Sequence, residues 1–373
     1  MFIFLATLNY WQSSLIYNVD SEGTSPSGLL HTQNTTLGFE NIFVVGLPER
    51  TDRRDRMVLQ AALSNLSIEF IDGPDGKGAA DKAIPIKQGH SRLTSGALGY
   101  QRAHMNAIQA VVERQISSAL ILEDGTDWDI RIKEQMRDFA LSSRTLLQPM
   151  LDSRKFEADM KLLGTEPVPA RPPQEFMFGN LPRTVGPAFS PYGDNWDVLW
   201  VGNCGMNFAS DAYPDTPKGR VIHLNDITVP ERRYLWSFNR PFALKDIYPE
   251  HTRVVHHAQE GVCTLGYAVS QRGAQKLLHE VGMKDVGGGF DILFRYFCDG
   301  SKGRRRHICL TVQPALFHHY RPAGAKSAGS DIHGDDFQHN GSTDMVRWSV
   351  QLNADSLLED KTTMRDQLPD GSR

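Results

Sequence analysis

Four carboxylates crowd into seven residues, Glu123, Asp124, Asp127 and Asp129, directly after the apolar run 119–122. Hard oxygen donors at this density suit Mg²⁺ or Mn²⁺, ions that keep several coordination positions for water and a substrate diphosphate. The apolar run reads as a buried strand, which puts the acids at its carboxyl end, where open α/β sheets place ligands. Thr126 or Asp127 could instead cap a helix starting near Trp128, with Asp129 complementing its dipole. Capping accounts for one or two of the acids and leaves Glu123 and Asp124 over.

A second charged group, Arg50, Arg53, Arg54 and Arg56, follows another apolar stretch, 42–46. The spacing of Arg50, Arg53 and Arg54 places them on one helix face, and guanidinium forks match phosphate oxygens. A solvated face paired with Asp52 and Asp55 is the plainer alternative. No G-x-G-x-x-G follows this strand and no G-x-x-x-x-G-K-[ST] occurs anywhere, so a nucleotide would be held without a dinucleotide fingerprint or a P-loop.

The elements that must position these groups follow a regular order. Residues 42–46 read as a strand, 49–64 as a helix, 68–71 as a second strand, and 94–115 as a helix burying Leu98, Met105, Ile108 and Val112. With the strand 119–122 this is the alternation of a parallel α/β sheet. Seven prolines between Pro167 and Pro191 make 164–193 a long loop. Strands are expected at 198–201, 220–223, 253–256, 262–269 and 308–312, with a helix over 271–282, so the second half is more irregular and richer in β structure. After Trp348 the chain turns polar and is expected to fray.

Composition narrows the class. A chain of 373 residues with 40% hydrophobic content can bury a sizeable core, and a net charge of -4 gives no basic excess for a nucleic acid. Residues 1–17 are apolar but interrupted by Asn9, Gln12 and Ser13, so they read either as a short signal anchor or as a segment packed on the domain. Residues 18–38 look like a stem. The four cysteines, Cys204, Cys263, Cys298 and Cys309, lack zinc spacing. In an oxidising compartment they could form two disulfides, with Cys298 and Cys309 closing a short loop around 302–306, and elsewhere they would be free core thiols. The sequons at Asn34 and Asn65 tilt towards a secreted context.

Several blocks in order resemble glycosyltransferase family 25, the lipopolysaccharide and collagen galactosyltransferase-like group, and within it the fungal branch. They are Asn41-Ile-Phe-Val-Val-Gly-Leu-Pro-Glu-Arg50 with the arginines that follow, Gly96-Ala-Leu-Gly-Tyr-Gln-Arg-Ala-His104, and Leu120-Ile-Leu-Glu-Asp124. Later come Trp196 to Gly202, Thr264 to Ser270 with Gly273-Ala-Gln, Gln313 to Phe317, and Ser330-Asp-Ile332. The resemblance covers roughly residues 40–335.

It implies a GT-A type fold, Rossmann-like in its N-terminal half, spanning a transferase domain at 40–345 between a signal-anchor-like segment and stem at 1–39 and a polar tail at 346–373. It further implies a UDP-sugar donor with Mn²⁺ or Mg²⁺, a hexose such as galactose moved with inversion to a glycan or glycoprotein hydroxyl, and a Golgi or secretory lumen setting, with anchoring through the N-terminus as a type II membrane protein. Arg50, Arg53, Arg54, Glu123 and Asp124 are then the donor-binding candidates, and Asp124, Asp127, Asp129 and His318 the metal candidates. Asp291, in Gly287-Gly-Gly-Phe-Asp291, is the candidate general base, with helix capping as its alternative role.

Two positions depart from the family. Gly125 stands where the third acid of E-D-D is expected, and Ala97 where the helix motif has Glu. A non-catalytic relative that binds nucleotide sugar or glycan is therefore the second expectation. A metal-dependent phosphohydrolase, the third, explains the acids but not the later blocks.

Overall fold

The computed structural model describes residues 26–78, 84, 93–151, 174–210, 212–284, 288–325 and 337–371. The anchor-like segment 1–17, the first part of the Pro-rich loop, Gly287 and the Ser330-Asp-Ile332 block lie outside the described residues.

The first half follows the expected alternation. A short helix α1 (Pro26–Leu30) precedes β1 (Asn41–Gly46), α2 (Thr51–Leu63), β2 (Glu69–Asp72), α3 (Ser95–Glu113) and β3 (Ser118–Glu123). β1 pairs in parallel with β2 on one side and β3 on the other. Thr94 caps α3 by accepting from the Ala97 N–H at 3.3 Å. The strands are apolar at consecutive positions because both faces are covered. Ile42, Val44, Leu120 and Leu122 pack on one side, with Met57, Met136 and Phe139. Phe43, Val45, Ala119 and Ile121 pack on the other, with Met105, Ile108 and Phe294. Each fully buried Leu, Val, Ile or Phe contributes roughly 1.5–3 kcal/mol.

After β3 the chain departs from expectation. No helix starts near Trp128. Thr126–Trp128 is instead a strand, β4, and the helix α4 begins at Ile132 and runs to Leu147. The second half then supplies β5 (Glu175–Met177), β6 (Val198–Gly202), β7 (Arg220–His223), α5 (Ala243–Ile247), β8 (Arg253–His257) and β9 (Gly266–Ser270). Next come α6 (Gln271–Leu277), which a π-helical stretch Leu278–Met283 prolongs, α7 (Phe290–Asp299), β10 (Cys309–Gln313) and β11 (Phe317–Arg321). Short strands β12 (Gly324–Ala325) and β13 (Phe337–Gln338) pair with each other, and β14 (Ser342–Thr343) joins β11.

The main sheet has nine strands in the order β2-β1-β3-β9-β6-β10-β8-β7-β5. Antiparallel pairing sets β9 and β8 against their neighbours, and the other strands share one direction. The fold is thus the expected α/β class, with a Rossmann-like first half and a more irregular second half. β5, inside the Pro-rich segment, lies at the sheet edge, where a lost donor costs least. β9 starts at Gly266 rather than 262 because the chain turns at Cys263, whose φ is 60°.

Two stretches expected to be loose are packed. Within the segment read as stem, Thr32 and Leu37 are fully buried, and Phe39 just beyond it stacks on Tyr192 at 4.7 Å. Beyond Trp348, Ser349, Val350 and Asn353 are buried, and Asp129 bridges to Ser349 as an isolated antiparallel pair. Both possible disulfides are formed, Cys204–Cys263 and Cys298–Cys309. Among the described residues, no helix is long and apolar enough to cross a membrane.

Candidate active site

Parallel strands deliver their carboxyl ends to one side of the sheet, and most of the candidate residues meet there. β1 ends at Gly46 and β3 at Glu123, with Asp124 just beyond. A Cβ on residue 46 would lie 2.2 Å from Asp124 Oδ2. Only glycine leaves room for that carboxylate.

Asp124 is buried and accepts from Arg53 Nη1 at 2.9 Å. Its other oxygen has no hydrogen-bond donor. Burial raises its carboxyl above the usual range, against the opposing pull of Arg53. The arginine run therefore touches the acidic motif through one member. Arg50 pairs with Asp52 at 2.9 Å, and Arg54 pairs with Asp72 at the end of β2 while lying over the Phe70 ring at 4.7 Å.

Glu123 sits in a different network. Its Oε1 accepts from the Tyr100 hydroxyl at 3.0 Å and from Thr264 Oγ1 at 3.3 Å, with His104 Nε2 at 3.7 Å. Tyr100 and Thr264 also bond each other. Burial works to raise Glu123, yet the hydrogen bonds and the charge of His104 win, holding it below the usual range. Tyr100 moves up, through burial first and then the charges of Glu123 and Asp291. His104 is fully buried, bonds Tyr267 at 3.0 Å through Nδ1 and stacks on Phe290 at 4.4 Å.

Asp291 reaches the same region from the first turn of α7. Its Oδ2 accepts from the Cys263 N–H at 3.2 Å and its Oδ1 from the Ile292 N–H at 2.9 Å. Because Cys263 is bonded to Cys204 at the end of β6, Asp291, β6 and the loop before β9 are tied together.

Three of the expected metal ligands are spent elsewhere. Asp127 is fully buried on β4, and its carboxylate accepts from Gln60 Nε2 at 2.8 Å, from the Trp128 N–H at 2.8 Å and from Ser349 Oγ. Burial pushes it up to about 7. Asp129 accepts from the Arg131 N–H at 2.9 Å and the Trp348 N–H at 3.4 Å. His318 pairs across the strands with Asp127, bonds the Ala315 carbonyl at 2.8 Å, and is lowered by burial to about 3. The next residue, His319, pairs with Thr126 on the opposite face. Its partly buried ring feels the charge of Glu123, and burial holds it below the ordinary histidine value. Strand alternation is the signal that separates these two histidines. It is readable only once β11 is known to be a strand.

The expected metal centre of Asp124, Asp127, Asp129 and His318 is therefore not assembled. Among the described residues, Cys204, Cys263 and His319 are the one group of three His, Cys or carboxylate side chains with ligand atoms within 4.8 Å of one another. Two of those are locked in a disulfide. Gly125, where the third acid was expected, faces open space. The residues present do not fit a multi-carboxylate Mn²⁺ or Mg²⁺ site. Positive charge comes instead from Arg53 and its neighbours.

Residues 39–158 match the family model of glycosyltransferase family 25 (LPS biosynthesis protein). A procollagen galactosyltransferase 1 from Danio rerio is 24% identical over 172 residues, 43% of this chain and 27% of its own length. Procollagen galactosyltransferase 2 from Mus musculus is 28% identical over 138 residues, 34% of this chain and 20% of that protein. A probable inactive glycosyltransferase 25 family member 3 from Bos taurus is 24% identical over 176 residues, 44% of this chain and 27% of that protein. The chain thus spans about a quarter of the length of the curated relatives it matches.

Proposed function

We propose, from the match of residues 39–158 to the model of glycosyltransferase family 25, that this chain transfers a hexose, galactose first among the candidates, from a UDP-sugar to a glycan or glycoprotein hydroxyl. One observation carries the reading. Arg53 with Asp124, Glu123 with Tyr100, and Asp291 converge at the carboxyl end of one sheet, from blocks far apart in the chain.

Each group then has a task. Breaking the bond between sugar and diphosphate leaves negative charge on the departing phosphates, and Arg53, with Arg54 on the same helix and Arg50 just before it, supplies the opposing positive charge in a partly buried setting. Asp291 takes the proton of the attacking acceptor hydroxyl, held in place by the Cys263 N–H. The Glu123, Tyr100 and Thr264 network fixes the floor between them and offers hydroxyls to the donor sugar. No step runs through a divalent ion, since the carboxylates for one are not gathered. Two formed disulfides support an oxidising, secretory compartment.

A second reading, a non-catalytic relative that binds nucleotide sugar, is favoured by Gly125 and by the similarity to proteins named inactive. UDP release from a panel of UDP-sugars, with and without a disaccharide acceptor, separates the two. Turnover supports transfer, whereas UDP binding without turnover supports the second reading.

A further inference from the structure

The sequons Asn34-Thr35-Thr36 and Asn65-Leu66-Ser67 are separate in the chain and adjacent in the fold. The Ser67 N–H donates to the Thr35 carbonyl at 2.8 Å, so the two loops lie side by side. Asn34, Thr35, Asn65 and Ser67 are all exposed. The loops lead into β1 and β2, which are parallel neighbours, and so stand at the amino ends of the strands. β1 runs six residues at about 3.3 Å each, which sets this patch roughly 20 Å from the groups gathered at the carboxyl ends.

Local structure accounts for only part of each sequon. Asn34 Oδ1 accepts from the Thr36 N–H at 2.8 Å, the Thr36 hydroxyl at 3.1 Å and the Gly38 N–H at 3.0 Å, a local turn on the way into β1. Asn65 closes α2 with a φ of 50°, and the Leu66 N–H reaches back to the Ala61 carbonyl at 2.8 Å, a left-handed cap that asparagine tolerates. Neither role uses the donor half of the amide. No hydrogen bond joins Asn34 Nδ2 or Asn65 Nδ2 to a described residue, and the exposed Ser67 hydroxyl, which the cap does not need, is likewise without a partner among the described residues.

We propose that Asn34 and Asn65 are both N-glycan acceptors and form one modified patch at the amino end of the sheet. The proposal is independent of the transfer reading and requires passage through an oxidising lumen, the setting in which the two formed disulfides persist. In the step, the amide nitrogen attacks the anomeric carbon of an oligosaccharide carried on a lipid diphosphate. A carbon–nitrogen bond forms, the bond from that carbon to the diphosphate breaks, and the lipid diphosphate leaves with the electron pair. The nitrogen gives one proton to a base of the host's oligosaccharide transferase. The hydroxyl two residues on, Thr36 or Ser67, completes the acceptor motif. A glycan is bulky and needs open surface, which both loops provide, and their place at the amino ends keeps it clear of the candidate site. A third sequon, Asn340-Gly341-Ser342, runs into β14 on the other side of the sheet and is not part of this patch.

The test produces the full chain in yeast and maps its peptides by mass spectrometry after peptide N-glycosidase treatment in heavy-oxygen water, which converts each glycan-bearing asparagine to labelled aspartate. Label is expected at both Asn34 and Asn65. Asn34→Asp keeps the acceptor oxygen for Thr36 and Gly38, and Ser67→Ala leaves the α2 cap in place, so each is expected to fold and to remove one glycosidase-sensitive step of gel mobility. The double variant should lose both steps and release UDP at the parent rate. Absence of label at either asparagine overturns the proposal, as does a single variant with the parent's mobility. A folded double variant that has lost UDP release would overturn the separation of this patch from the site. A labelled parent that releases no UDP would sink the transfer reading alone.

Discussion

Arg53 Nη1 lies 2.9 Å from Asp124 Oδ1, joining the arginine run after β1 to the acidic motif after β3 across 71 positions of sequence. Both side chains are largely buried, at 13% and 6% side-chain exposure. Neither charge is well solvated alone, and Asp124 has a second oxygen with no donor at all. The pair is therefore a latch between the two halves of the candidate donor site, and removing Arg53 takes from the buried Asp124 carboxylate its Nη1 donor.

Arg53→Ala is expected to cost about 3 kcal/mol or more in stability, the usual consequence of stranding one partner of a buried pair. The double variant Arg53→Ala with Asp124→Asn should recover part of that loss while activity and UDP affinity stay low. Chemical denaturation of the four proteins in the cycle measures the coupling. Additive losses would show that the latch contributes nothing as a pair.

Gly125→Asp is expected to fold normally, because a side chain at that position meets open space and the residue has no left-handed backbone angle. Stability should change by no more than about 0.5 kcal/mol. If the glycine is what limits turnover, UDP release should rise at least tenfold and Mn²⁺ affinity, measured by titration calorimetry, should rise with it. Unchanged turnover and metal affinity would remove Gly125 as the explanation for low activity.

The difference between what could and could not be read in advance is physical. β1 and β3 are apolar at every inner position because helices cover both faces, so their runs announce themselves, and Thr94 marks the start of α3 by capping it. Arg53 and Asp124 are legible as chemistry because the charged runs they belong to follow such strands. The fate of Asp127 is not. Its partners Gln60 and Ser349 lie 67 and 222 positions away, and only the pairing of three-residue β4 with β11 turns it from the cleft. For the same reason the sequence alone points to His318, where the fold turns His319 towards Glu123.

Removing Cys204 and Cys263 together is expected to harm activity more than removing Cys298 and Cys309. The first bridge spans 59 positions and holds the Asp291 contact, whereas the second spans 11 between α7 and β10. Chain entropy alone predicts stability losses of roughly 4 and 3 kcal/mol. A paired Cys→Ser comparison of kcat and melting temperature tests this. Equal loss of kcat in the two variants, scaled to stability, would deny the first bridge any positioning role.

Asp127 makes stability depend on pH in a direction opposite to that of a salt-bridged acid. Its folded value is about 7, above the ordinary value of 3.8. The folded state therefore holds a proton that the unfolded state has already released. Its contribution is full below about pH 4 and is lost as pH rises from there towards 7. Asp127→Asn keeps an oxygen for the Trp128 and Gln60 donors and carries an amide that can donate to Ser349 in place of the carboxylate. At pH 8 the variant should be more stable than the parent by roughly 2–4 kcal/mol, since each tenfold difference in proton affinity between folded and unfolded chain corresponds to about 1.4 kcal/mol, while at pH 4 the two should melt together. Thermal denaturation across pH 4–8 decides it. A parent and variant that run parallel over that range would mean that Asp127 ionises in the fold without penalty, and would return it to the acids able to face a ligand.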